Sequence, residues 1–281
     1  MKNKYTQKEK ALQLHRLHHG DGPLILPNIW DVLGAKLLED IDYPAIATAS
    51  ASIAYTNGYL DGEKIPFDEL LSILTKIASS VNIPVTADIE SGYTDSSVQF
   101  QENIKLFIKT GIAGINIEDT NHKTGRLFSI EQQCDRIKLI RVISDEFGIP
   151  LFINARADVL LYDTDFPTAS EKLEELLKRG YAYKEAGANC FFPIALRQKE
   201  DIHQLVTQLE MPINILTLPG IPDLMELKEI GVKRISLGPS FLKTAIKAMK
   251  SLAIELKNAE GLAHITENEI TSDYLKTLIS N

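Results

Sequence analysis

The stretch that decides the fold is V-T-A-D-I-E-S-G-Y, Val85 to Tyr93. Pro84 opens it, and Ile83, Val85 and Ala87 are apolar or small, as in a strand buried in a parallel sheet. It then delivers two carboxylates, Asp88 and Glu90, two residues apart. In a strand that spacing turns both side chains to one face. Ser91, Gly92 and Tyr93 follow, where the backbone must turn. Two anions side by side at a strand end repel unless something positive lies between them, and a hard divalent cation meets that need. The plainer alternative is a pair of solvated turn residues. The residues downstream decide between the two.

Working outward, short apolar runs alternate with amphipathic segments. Strands are expected at Leu24–Leu26, Ala45–Ala47, Val85–Asp88, Gly114–Glu118, Leu151–Asn154, Cys190–Phe192, Ile213–Leu216 and Arg234–Leu237. Helices are expected between them, among them Phe67–Ser80, Ile130–Glu146 and Ser240–Lys257. Gly111, Gly148, Gly187 and Gly231 each stand a few residues before a strand, as helix C-termini do. Eight βα units without a second domain predict a (β/α)₈ TIM-type barrel over residues 1–281. An N-terminal helix is expected at 6–19, the barrel at about 24–257 and a C-terminal helix at about 266–279. A doubly wound open sheet is the alternative, and the lack of a glycine-rich dinucleotide fingerprint weighs against it.

Composition narrows the function classes. The 281 residues are 44% hydrophobic and 24% charged, with a formal net charge of −8. That charge, without a long basic run, favours neither nucleic acid nor an anionic membrane as partner. Two cysteines, Cys134 and Cys190, exclude a disulfide framework and suit a reducing cytoplasm. The polar, lysine-rich Met1–Lys10 is no signal peptide, and no apolar run approaches the roughly 20 residues of a spanning helix.

In such a barrel the site lies at the C-terminal ends of the strands. Polar residues fall there: Ser50-Ala51-Ser52 after the second strand, Asp88 and Glu90 after the third, Glu118 and Asp119 after the fourth, and Asn154, Arg156 and Asp158 on the fifth. Asp88, Glu90 and Glu118 form an oxygen-only set, which favours Mg²⁺ (or Mn²⁺) over Zn²⁺. Arg156 offers a bidentate fork to a carboxylate or phosphonate. The Ser50-Ala51-Ser52 turn can offer backbone N–H groups to a second anion. Cation and arginine together would polarise a 2-oxo carboxylate and stabilise a developing enolate.

These segments resemble the isocitrate lyase/phosphoenolpyruvate mutase superfamily. The resemblance rests on P-N-I-W-D (Pro27–Asp31), A-T-A-S-A-S (Ala47–Ser52), A-D-I-E-S-G-Y (Ala87–Tyr93), G-I-N-I-E-D (Gly114–Asp119) and N-A-R-A-D (Asn154–Asp158), with Leu218–Gly238 adding to them. It implies a barrel whose last helix is exchanged between subunits of a homo-oligomer, a dimer or tetramer. It also implies Mg²⁺ at Asp88, Glu90 and Glu118 with Asp61 close behind, and substrate anions at Ser50, Ala51 and Arg156. Asn154 and Tyr93 are further candidates for the substrate pocket.

Three features depart from the pattern. The lyases carry K-[KR]-C-G-H after the fourth strand, whereas this chain has T-N-H-K-T-G-R-L-F, without cysteine. Their F-P-E after the sixth strand is Phe192-Pro193-Ile194 here. The mutases' longer lid with an asparagine-serine pair is reduced to Asn121 and Thr124. His122 and Lys123 are therefore the acid/base candidates in the loop, against a reading as solvated loop residues. His15, His18 and His19 read as surface residues of the first helix. The expected activity is C–C bond cleavage or formation next to a small 2-oxo carboxylate. A P–C phosphonomutase or phosphonopyruvate hydrolase is the alternative, and a non-catalytic barrel that binds a small anion is a third reading.

Overall fold

Parallel strands buried on both faces need near-continuous apolar character, and the short runs supply it. The computed structural model describes residues 5–162 and 165–280. The first four residues of the polar N-terminus therefore lie outside the described part. The strands are β1 (Leu24–Leu26), β2 (Asn28–Ile29), β3 (Ile46–Thr48), β4 (Val85–Asp88), β5 (Gly114–Glu118), β6 (Thr120–Asn121), β7 (Arg126–Leu127), β8 (Phe152–Ala157), β9 (Cys190–Pro193), β10 (Asn214–Leu216) and β11 (Arg234–Ser236). The helices are α1 (Gln7–Leu17), α2 (Val32–Asp40), α3 (Ser50–Thr56), α4 (Phe67–Ser80), α5 (Ser97–Lys109), α6 (Ile130–Glu146), α7 (Ala169–Glu185), α8 (Lys199–Leu209), α9 (Leu224–Ile230), α10 (Ser240–Lys257), α11 (Ala263–Thr266) and α12 (Ser272–Ser280).

The pairings run round a ring. β2-β3-β4-β5-β8-β9 pair in parallel in that order, and so do β1-β11-β10. A parallel bridge from Phe191 to Ile213 joins β9 to β10. β1 and β2 are one passage of chain interrupted at Pro27, which has no N–H to give the ladder; its carbonyl still accepts from Ala47 N at 2.9 Å. The result is an eight-stranded (β/α)₈ barrel. The antiparallel hairpin β6-β7 stands over its C-terminal rim.

Helical faces bury where the 3.6-residue period puts them. On α4 the buried residues are Leu70, Leu74, Ile77 and Ala78. α1, capped by a Thr6–Glu9 box, closes the N-terminal end of the ring. Gln7 donates to the carbonyls of Ile108 and Ile112 at 2.7 and 2.8 Å, and Leu14 packs onto β5. A Cβ on Gly114 would lie 2.8 Å from Leu14 Cδ2 and 2.9 Å from the Phe152 carbonyl, so this contact requires glycine.

Four expectations need correction. His18 is no surface residue: its exposure is 0%, and its ring stacks on Phe152 with centroids 3.9 Å apart. The small residues after β3 form a helix, α3, not a turn, because Ile53 and Ala54 bury against the core. β8 continues past Asn154 to Ala157. The C-terminal helix divides into α11 and α12, and Tyr274 of α12 donates to Asp40 of α2 at 2.9 Å. α10 buries Leu242 alone, leaving Ile246, Met249 and Ile254 exposed. No helix among the described residues is long and apolar enough to cross a membrane.

Candidate active site

Strand β4 ends at Asp88, so the pleat does not present Glu90. Glu90 sits in the left-handed region at φ 52°, followed by Gly92 at 91° and Tyr93 at 63°. This tight reversal swings the Glu90 carboxyl back towards the ring. Gly92 is obligatory within it, since a Cβ there would lie 2.5 Å from the Phe100 ring.

Asp88 is fixed from three sides. Its Oδ2 accepts from Ser50 Oγ at 2.8 Å and Ser50 N at 3.2 Å, and its Oδ1 accepts from Asn116 Nδ2 at 2.9 Å. Thr48 Oγ1 accepts from the Asp88 N–H at 3.0 Å. Register supplies the next contact: Glu118 on β5 lies opposite Arg156 on β8, and Arg156 Nη1 stands 2.6 Å from Glu118 Oε2. Arg156 also forks onto Asp158, Nε to Oδ1 at 2.6 Å and Nη2 to Oδ2 at 3.1 Å. The other Glu118 oxygen, Oε1, lies 2.7 Å from His122 Nε2, which is 3.8 Å from Glu90 Oε2. Glu90 in turn accepts from the Tyr93 hydroxyl at 2.9 Å and from the Glu63 N–H.

The electrostatics follow from crowding. Burial, then the charges of Asp88, Asp61 and Glu118, push Glu90 up to about 8. Burial draws His122 down, but the hydrogen bond and charge of Glu118 outweigh it and lift His122 to about 9. Burial pushes Glu118 up to about 7 against the pull of the Arg156 charge, still below His122, so the proton of that pair sits on the imidazole. Asp61 lies at the solvent edge, yet its carboxyl is partly withdrawn from water; that desolvation, with the Asp88 charge, raises its pKa.

These side chains surround a cavity of about 280 Å³ that enters the ring from its C-terminal mouth. Of the residues expected from sequence, Ser50, Ala51, Asp61, Asp88 and Arg156 line it. Glu90, Glu118, Tyr93 and His122 stand behind that wall, bonded to one another. Asn154 is buried and does not line the cavity; it donates to Oδ1 of the lining residue Asn116 at 2.7 Å. Lys123 points outward, 65% exposed and 2.5 Å from Asp95. The expected ligand set is thus not a ready-made cluster: among the described residues no group of three or more His, Cys, Asp or Glu side chains could hold a metal ion as it stands. Of the three assigned carboxylates, Asp88 alone faces the cavity.

Sequence reasoning missed several wall residues. Asn28, whose Oδ1 accepts from Leu237 N and Gly238 N at 2.9 and 3.0 Å, lies within the P-N-I-W-D segment. Arg234 and Ser236 reach the cavity from β11, and Lys243 from the start of α10. A charged residue inside the apolar run of β11 was the available signal. Glu63 was also overlooked: its carboxylate accepts from Ser91 Oγ at 2.6 Å and Tyr93 N at 2.7 Å, bracing the reversal.

Known proteins share this arrangement of elements. The chain is 27% identical over 251 residues to an uncharacterised protein of Mycobacterium tuberculosis, covering 89% of this chain and 91% of that one. It is 23% identical over 250 residues to an oxaloacetate decarboxylase of Pseudomonas entomophila, covering 86% and 81%. The crystal structure of a phosphonomutase candidate from Burkholderia cenocepacia J2315 superposes with a TM-score of 0.82 at 35% identity, covering 90% of this chain and 99% of that one. The phosphoenolpyruvate phosphomutase family model matches residues 14–257. The chain belongs to the phosphoenolpyruvate phosphomutase family, within the superfamily that also holds the isocitrate lyases.

Proposed function

We propose that this protein is a divalent-metal-dependent enzyme that breaks or forms the C–C bond next to a small 2-oxo carboxylate, by way of an enolate. The observation that carries the reading is the surplus of carboxylates around one cavity that also presents a guanidinium. Asp61 and Asp88 face the space, with Glu90 and Glu118 directly behind, and oxygen donors alone suit Mg²⁺ or Mn²⁺. Asp88 and Asp61 would hold the ion, and carboxylates one step back suit a cation that keeps several of its waters. When bound, the ion would act as a Lewis acid on the substrate carbonyl.

The remaining work falls to the chain itself. Ser50 orients Asp88 through two hydrogen bonds. Arg156 uses three of its five N–H bonds on Glu118 and Asp158, which leaves two for a substrate anion. Held rigidly between two carboxylates, it loses little freedom on binding and stabilises the enolate oxygen as charge develops. Ala51 adds an N–H of the first α3 turn, where no intrahelical acceptor exists. His122 directs its Nε2 proton to Glu118 behind the wall, and a shift of its loop towards the mouth would bring it to serve as general acid to the carbanion carbon. Lys123 has no such access in this arrangement. The small cavity favours a substrate of few carbons, in keeping with the oxaloacetate named for the Pseudomonas relative.

A P–C bond reaction is the second reading, favoured by the 35% identity to the phosphonomutase candidate; it draws on the same enolate stabilisation. The exposed apolar face of α10 further supports exchange of that helix within a homo-oligomer. A Mg²⁺-supplemented assay of small 2-oxo di-acids for pyruvate release, run beside phosphorus NMR on phosphonopyruvate, separates the two chemistries. Asp88→Ala should abolish metal-dependent turnover while circular dichroism stays unchanged. Full activity in that variant would refute the metal assignment.

A further inference from the structure

The interior of a (β/α)₈ barrel is ordinarily filled by layers of branched apolar side chains. Here the floor of the cavity is polar. Arg234 and Ser236 on β11 and Thr86 on β4 line it. Asn214, opposite Arg234 in register and two residues before the cavity-lining Leu216, turns to the same face. Arg234 is 2% exposed, and its Nε donates to Ser236 Oγ at 3.3 Å. Its Nη1 is buried without a hydrogen-bond partner among the described residues, as are Thr86 Oγ1 and both amide atoms of Asn214. No carboxylate of the described residues forms an ion pair with it, and Asp88 reaches it by charge alone. A desolvated, unpaired guanidinium is costly unless an anion completes it.

From this geometry we infer that the cavity floor is an oxyanion subsite, in which Arg234, with Asn214 and Thr86 beside it, holds a carboxylate, phosphate or phosphonate group. The planar fork of arginine and the neutral donors around it match two coplanar oxygens. Two sources fit that chemistry: the second acid group of a substrate, or a free inorganic anion. The substrate version rests on the mouth being a substrate site, as proposed above; the subsite itself does not.

The test is isothermal titration of the full chain with inorganic phosphate in EDTA at fixed ionic strength. The wild type should bind phosphate, and Arg234→Met should weaken that binding by about tenfold or more. Arg156→Met and Asp88→Asn should retain it, which separates the floor from the mouth and from the metal. Should Arg234→Met fail to fold, Arg234→Lys carries the test: it keeps the charge, loses the fork, and should weaken binding by a smaller factor. Malonate and acetate, titrated with Mg²⁺ present, then identify the source. A malonate preference that Arg234→Met erases assigns the floor to a substrate's second acid group. Phosphate binding with no such preference assigns it to a free anion. Phosphate that does not bind, or binds equally to Arg234→Met, or is lost only in Arg156→Met, overturns the subsite.

Discussion

His18 makes the most quantitative demand on this structure. Its Nδ1 lies 2.7 Å from the Leu14 carbonyl, so that nitrogen carries the hydrogen and Nε2 is bare. Nε2 is buried without a partner among the described residues. Protonating it would place a charge in the apolar seat of α1, facing the positive charge of Arg234. Burial, then Arg234, lowers the His18 pKa to about 3. The unfolded chain has a value near 6.5, so between these limits it binds more protons than the folded one. This group therefore contributes nothing above about pH 7 and removes stability as the pH falls. With about 1.36 kcal/mol per unit, the loss reaches about 2 kcal/mol at pH 5 and levels near 5 kcal/mol below pH 3. His18→Asn keeps an N–H for Leu14 and cannot titrate. It gives up the ring stacking on Phe152, worth about 1 kcal/mol, equally at every pH. Urea unfolding of both proteins at pH 8 and pH 5 should show the wild type losing about 2 kcal/mol relative to the variant. A difference that stays constant between the two pH values would refute the buried, neutral histidine.

Gly92→Ala should destabilise by about 3 kcal/mol, from left-handed backbone and the collision with Phe100; an unchanged thermal midpoint would contradict the reversal after Ile89. Arg179→Met strands the buried Asp119, which Arg179 Nη1 and the Tyr183 hydroxyl meet at 2.9 and 2.7 Å. Its cost should be about 3–5 kcal/mol, read by chemical denaturation, whereas Lys178→Met, on an exposed pair, should cost under about 1 kcal/mol. Ile246→Glu with Met249→Glu should leave the helix content of the chain intact. Light scattering should then give a lower mass than the wild type; equal masses would remove α10 from the subunit contact.

The strands and most helices were legible because each carries a single unambiguous period. Val85–Asp88, Gly114–Glu118 and Phe67–Ser80 begin and end where the apolar pattern does. Beyond a strand's last residue that logic fails: Glu90 takes its direction from a left-handed reversal which the D-I-E spacing does not encode. His18 was legible, since it lies seven residues after Ala11 and four after Leu14 on one helical stripe, a position that outranks its polar residue type. The neighbours of Arg156 were not legible, because the β5–β8 register that sets Glu118 beside it is a tertiary fact. The outward course of Lys123 depends on the hairpin turn after β6, which sequence leaves open. Serine and alanine after β3 read as a turn by local preference, and burial of Ile53 overrode it.

The seat of α1 has a consequence for how the molecule comes into being. Its first helix leans on Ile108, Ile112, Pro150 and Phe152, sites more than a hundred positions further along. The helix is made before every one of these partners, and its last contacts wait until the chain has run on by 135 positions, from His15 to Pro150. Until then its apolar stripe, Ala11, Leu14 and Leu17, stays open to solvent and to chaperones. The lid of the barrel's closed end is made before the strands it covers, and fitted late.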